Sequence, residues 1–163
     1  MRYKPVSRAV PIKKMNTLIL GVGNPILTDD GVGIKIARRL KEESHQSEVI
    51  ETSEVGIALL DLAVGYDKLI IIDSIKTEQG KPGEVYKLGL EDLKPSMDFP
   101  SSHGLDIATA LELGRRLGYK MPKYIRLYAV EIRDNATFGE NCTEEIEERV
   151  PFITKHIIDE EKL

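Results

Sequence analysis

The chain has 163 residues, enough for one domain with its own apolar core, and 41% hydrophobic with 31% charged residues is an ordinary globular composition. Its single cysteine, Cys142, excludes an intramolecular disulfide and suits a reducing, cytoplasmic setting. The net charge is −4, yet residues 1–15 hold five cations and no acid, so the remainder carries −9, which argues against a nucleic-acid backbone as partner.

Residues 1–15 lack the apolar h-region of a secretory signal, and no later run approaches the roughly 20 apolar residues that span a bilayer. We expect a disordered basic leader over 1–15 and a single α/β domain over 16–163. A first strand, Thr17–Leu20, runs into Gly21-Val22-Gly23-Asn24. After a short loop come two adjacent acids, Asp29 and Asp30, then Gly31-Val32-Gly33 and a helix. Val32, Ile36, Ala37 and Leu40 share one face of that helix, and Lys35, Arg38 and Arg39 the other.

A second strand is expected over Ser47–Thr52 and a small helix over Gly56–Val64, with Ile57, Leu60 and Leu62 available to the core. Lys68–Asp73 is an aliphatic run closed by an acid, the pattern of a central strand buried on both faces. Glu84–Leu88 forms the fourth strand. Its link from Asp73 is too short for a helical crossover, so it is expected to run antiparallel at an edge. Residues 91–100 read as loop, Ser101–Leu117 as a helix stopped by Gly118, and Tyr124–Val130 as the fifth strand. Thr143–Leu163 is helical, with a kink or restart expected at Pro151. The alternation predicts a three-layer αβα fold with a twisted, mostly parallel five-stranded sheet and helices on both faces.

The glycine turn does not make a dinucleotide fingerprint: the sixth position of G-x-G-x-x-G is Ile26, and Asp29 and Asp30 stand where a pyrophosphate needs positive potential. No organic cofactor is expected. Acids in a first helical turn are ordinary caps, and Asp29, with Thr28, is assigned that role. A second adjacent acid is less ordinary, which leaves Asp30 for function. Asp73 ends a buried strand, and open α/β sheets bind ligands at the carboxyl ends of their strands, where the crossovers reverse direction. If the first and third strands are neighbours, Asp30 and Asp73 face one crevice; the plainer alternative has Asp73 capping its own turn with Ser74. His103 opens a helix between Ser102 and Gly104, where imidazole is not a preferred cap. Two carboxylates and one imidazole can bind a transition metal and leave positions open. His45 and His156 read as solvated, and Cys142, with no base nearby in sequence, as inert.

Gly21-Val22-Gly23-Asn24, Thr28-Asp29-Asp30-Gly31-Val32-Gly33, the strand ending at Asp73, and Ser102-His103-Gly104 together resemble the hydrogenase maturation endopeptidases. That family removes a C-terminal extension from the large subunit of nickel–iron hydrogenases. The resemblance covers Thr17 to about Ile158; the basic leader and Glu54-Val55-Gly56 depart from the family pattern. It implies that Asp30, Asp73 and His103 form the catalytic and metal-contacting set, and that the metal is nickel already installed in the precursor. The implied partner is that large-subunit precursor, with no nucleic acid and no membrane, and the chain is expected to be a monomer. Two other readings stay open: a nickel-centre chaperone that binds the precursor without cutting it, and a self-sufficient metallopeptidase with its own ion.

Overall fold

A computed structural model describes residues 13–54, 56–93 and 102–163, the side chains of Leu93 and of 102–106 excepted. The leader therefore lies outside the described residues up to position 12; residues 13–16 are exposed and irregular. Five strands, β1 (Thr17–Val22), β2 (Glu48–Thr52), β3 (Lys68–Ile75), β4 (Val85–Leu88) and β5 (Tyr124–Glu131), form one sheet in the order β2-β1-β3-β5-β4. The first four in that order are parallel, and β4 pairs antiparallel with β5 at the edge, as its short connection requires. The helices are α1 (Val32–Glu43), α2 (Ile57–Ala63), α3 (Ser102–Arg116) and α4 (Glu144–Glu161).

Strand alternation sorts the core into two layers. Leu18, Leu20, Leu69, Ile71, Ile125 and Leu127 face α2 and α3, meeting Leu59, Leu60, Ile107 and Leu111. Ile19, Ile70, Ile72, Tyr128 and Val130 face α1 and α4, meeting Ile36, Leu40, Ile146 and Ile153. The three-layer αβα arrangement follows. The chain leaves β1 outward through α1 to β2, then returns past β1 through α2 to β3. The crossovers thus reverse between β1 and β3, which places the switch-point crevice at the carboxyl ends of these two strands.

Several boundaries differ from those read in the sequence. β3 continues two residues past Asp73, because Ser74 and Ile75 stay in register with Val130 and Glu131 of β5. α2 turns Leu59, Leu60 and Ala63 inward and leaves Ile57 69% exposed, so Ile57 is not a core residue. α4 runs as one helix from Glu144 to Glu161 with Pro151 inside it, without a restart. An interior proline costs about 3 kcal/mol; burial of Ile146, Val150, Ile153 and Ile157 along one face offsets it. Residues 90–93 form a 3-10 turn, and the rest of the expected loop lies outside the described residues. α3 ends as expected: Gly118 takes φ +83°, and Gly118 and Tyr119 donate back to the carbonyls of Arg115 and Gly114 in a Schellman cap. Among the described residues, no helix is long and apolar enough to cross a membrane.

Candidate functional site

Two glycines bring the acidic loop onto the carboxyl edge of the sheet. A Cβ on Gly33 would stand 2.3 Å from the Ile72 carbonyl oxygen and 2.5 Å from that of Val22. The first turn of α1 therefore rests directly on the ends of β3 and β1. A Cβ on Gly23 would lie 2.0 Å from the Asp30 carbonyl oxygen, so the end of β1 and the 3-10 turn Thr28–Gly31 touch backbone to backbone.

Asp30, partly exposed, is held at both carboxylate oxygens. Oδ1 accepts the Ser74 hydroxyl at 2.8 Å, and Oδ2 accepts the Asn24 N–H at 2.9 Å. Asp73 is 2% exposed, and its Oδ1 accepts the Ser74 N–H at 2.8 Å. Ser74 thus links the two acids, its hydroxyl on one and its amide on the other. Alternation along β3 explains the geometry. Ile70 and Ile72 face α1, which carries Ser74 to the Asp30 side; Leu69 and Ile71 face α3, which carries Asp73 to that side. The cap between Asp73 and Ser74 weighed in the sequence is present, and it operates together with the link to Asp30.

His103 lies in the first turn of α3, and its side chain is outside the described residues. α3 finishes at the amino end of the sheet, where the Lys120 carbonyl beyond it accepts the Gly65 N–H at 2.8 Å. Its 15 residues, rising about 1.5 Å each, direct the first turn toward the carboxyl end. Among the described residues, no three His, Cys, Asp or Glu side chains gather closely enough to hold a metal ion.

Asp29 is structural, but not in the way expected. It makes no cap on α1, whose N-cap Gly31 receives no side-chain bond. Fully buried, Asp29 instead reaches across to the segment between β5 and α4. Its Oδ2 accepts the N–H of Arg133 (3.2 Å) and Asp134 (2.9 Å), and its Oδ1 accepts the N–H of Thr143 at 2.7 Å, with the Thr143 hydroxyl added. Nor does Thr28 cap: it sits at φ +50°, costly for a β-branched residue, and gives its hydroxyl to the Thr137 carbonyl. The backbone of the two segments is laced as well, through Asp29 N–H to Asp134 O, Thr28 N–H to Gly139 O and Gly139 N–H to Ile26 O. The acidic loop is thereby fastened to the β5–α4 segment, while Asp30 bonds instead to Asn24 and Ser74.

His45 and His156 are exposed, as expected. Cys142 is 7% exposed within the core under α1 and α4, and burial pushes its thiol up to about 12, so it is no nucleophile at neutral pH. Glu131 escaped the sequence reading. It is 1% exposed at the end of β5 and accepts the Thr77 N–H at 2.6 Å and the Thr77 hydroxyl at 3.0 Å, fixing the β3–β4 loop beside the crevice. An acid closing an otherwise apolar strand was its only signal, the same one that marked Asp73.

A doubly wound sheet with an acid pair at its switch point is compatible with many chemistries; comparison with known proteins narrows them. The family model described as hydrogenase maturation protease matches residues 33–160. The chain belongs to the hydrogenase maturation protease family and is a protease. The match begins just after Asp30 and includes the positions of Asp73 and His103. The hydrogenase 2 maturation protease of Escherichia coli K12 is 32% identical over 121 residues, covering 71% of this chain and 73% of that protein. Among solved structures, the hydrogenase maturating endopeptidase HybD of E. coli superposes with a TM-score of 0.74 at 27% identity, over 89% of this chain and 91% of the other. The NiFe hydrogenase maturation protease HybD of Thermococcus kodakarensis gives 0.66 at 27% identity, covering 89% and 98%.

Proposed function

We propose that this protease removes the C-terminal extension of a nickel–iron hydrogenase large-subunit precursor after nickel insertion, and that Asp30, Asp73 and His103 recognise the nickel that the precursor brings. The observation that supports this reading is Ser74, at the carboxyl end of β3, whose hydroxyl donates to Asp30 and whose N–H donates to Asp73. Among the described residues each Asp30 oxygen accepts one hydrogen bond, and a carboxylate oxygen has two lone pairs, so Asp30 retains donor capacity for a metal. His103, in the first turn of α3, supplies the nitrogen ligand.

In this mechanism nickel is part of the substrate. Ligation by the protease fixes the precursor's scissile peptide against the acid pair, and orientation of this kind contributes a large share of a hydrolytic rate. Nickel held by Asp30, Asp73 and His103 would supply Lewis-acid polarisation of the peptide carbonyl. A carboxylate accepts a proton from water as the water oxygen bonds to the carbonyl carbon. The C–N bond then breaks, and the proton passes to the departing amine. Precursor without nickel offers no ion to ligate and is not cut, so a single contact provides both checkpoint and alignment.

The test is incubation of the purified protein with nickel-loaded and nickel-free precursor, followed by mass measurement of the released tail. Release from the loaded precursor alone is expected. Binding without release would assign a chaperone role, and release from unrelated peptides a self-sufficient metallopeptidase.

A further inference from the structure

Asn24 follows the end of β1 and leads into the turn that carries Asp30. Its N–H donates to Asp30 Oδ2 at 2.9 Å, and its carbonyl accepts the Leu27 N–H at 3.2 Å. Its side-chain Oδ1 accepts the Ile26 N–H at 3.1 Å, which closes an asparagine turn across Pro25. Because Ile26 brings a donor, the arm of the amide that meets it is the oxygen, and the NH2 is the other arm. Among the described residues that Nδ2 has no hydrogen-bond partner, and Asn24 is only partly exposed. The turn does not require it. Aspartate or serine closes the same turn with an oxygen alone. What asparagine adds beside Asp30 is a fixed, uncharged donor.

That donor stands within reach of a peptide at the Asp30 carboxylate. The Asn24 N–H is on Asp30, and standard bond lengths keep Nδ2 within roughly 8 Å of Asp30 Oδ2 in any rotamer. A base carboxylate, its water, the carbonyl that the water attacks and a donor on the carbonyl oxygen form a chain that fits this span. Its two ends are hydrogen bonds of about 2.6–3.2 Å and 2.7–3.1 Å. The other donors beside Asp30 are already engaged: Ser74 gives its hydroxyl to Asp30 and its N–H to Asp73, and Arg133 is paired with Glu145. Neither acid can stabilise the negative oxygen that hydrolysis creates.

We propose that Asn24 is a catalytic residue whose Nδ2 N–H stabilises the oxyanion formed at the scissile carbonyl. This rests on the proposed function above, which puts the reacting peptide at Asp30. As the water oxygen bonds to the carbonyl carbon and its proton goes to a carboxylate, the C=O π pair moves onto oxygen, and Nδ2 donates to it. When that pair returns, the C–N bond breaks and the proton passes to the departing amine. Nδ2 keeps its own protons throughout. The bond to Ile26 orients the amide before the peptide arrives, so no reorganisation is needed at the moment of reaction.

The test follows tail release from nickel-loaded precursor over a range of precursor concentrations by the wild-type protein, Asn24→Ser and Asn24→Asp, with the thermal midpoint of each. Both variants keep an acceptor for the Ile26 N–H and lose the amide donor. Serine adds no charge beside Asp30, and aspartate keeps the shape of asparagine, so the comparison does not hang on one replacement. Loss of an oxyanion donor is expected to lower kcat about a hundredfold in both. KM should stay within about twofold, since the interaction is made only in the transition state. The serine variant should melt within about two degrees of wild type, because the turn is retained. Wild-type kcat in either variant would reduce Asn24 to a turn-former and overturn the inference, with the proposed function intact. A raised KM at constant kcat would overturn it too, by making Asn24 a ground-state contact. If the wild-type protein itself releases no tail, the proposed function falls and this inference with it.

Discussion

Thr143 gives both its N–H and its hydroxyl to Asp29, a residue 114 positions earlier, and so joins the start of α4 to the loop that carries Asp30. The contact sits in the interior, with Asp29 fully buried. It sets two neighbouring acids apart: Asp29 fastens the loop to α4, and Asp30 bonds to Asn24 and Ser74.

Asp29→Asn tests that separation. Three backbone N–H groups face the carboxylate, and an amide would set its own NH2 against some of them. Buried donors left facing a donor cost about 1–3 kcal/mol each. We expect a loss of about 2–4 kcal/mol in urea unfolding, against less than about 1 kcal/mol for Asp30→Asn at its partly exposed position.

Ser74→Ala removes the hydroxyl bond to Asp30 and keeps the backbone bond to Asp73. Loss of a partner that orients a metal-contacting carboxylate costs about 10–100-fold in activity or metal affinity. Processing should slow within that range while circular dichroism is unchanged. Ser74→Thr, which retains a hydroxyl, should recover part of the rate.

Gly33→Ala probes the seat of α1. The added methyl meets two backbone carbonyls, which cannot rotate away as a side chain can. Overpacking of this kind costs about 1–3 kcal/mol. Chemical denaturation should show that loss, and tail release should fall with it because Asp30 lies in the 3-10 turn that leads into α1.

An acid-sensitive link lies at the other end of the molecule. Lys68 meets Glu161 at 2.5 Å, with side chains only 11% and 5% exposed, and the Tyr128 hydroxyl donates to the same carboxylate. Burial pushes Glu161 up, but the bonds from Lys68 and Tyr128 prevail and hold it below its ordinary value of 4.5. With a depressed folded pKa, its contribution is complete above about pH 4.5 and disappears as the pH falls through the lower, folded value. Glu161→Gln leaves Lys68 buried without its anion, which costs about 3–5 kcal/mol at neutral pH. The urea midpoint of the variant should be lower at pH 7 and fall less than wild type between pH 4.5 and pH 3.

The sheet was legible because its signals are local. Lys68–Asp73 is too uniformly aliphatic for anything but a central strand, and the short link before Glu84 leaves only an antiparallel edge. The neighbourhood of the first and third strands followed from the order of elements. What stayed hidden depends on contacts distant in sequence. Nothing around Asp29 reveals that its partners are Arg133, Asp134 and Thr143, so a helix-capping role was the natural assignment. Glu131 closes β5 much as Asp73 nearly closes β3, but only the fold shows it turned onto Thr77. Ile57 has the right helical spacing for the core, yet α2 is rotated so that Leu59 and Ala63 take that place.

The most direct measurement is tail release from nickel-loaded precursor by Asp30→Asn, Asp73→Asn and His103→Gln, each first shown to be folded. All three are expected to leave the precursor's extension attached. Release at the wild-type rate by these variants would contradict the assignment of the two carboxylates and the histidine to the reaction.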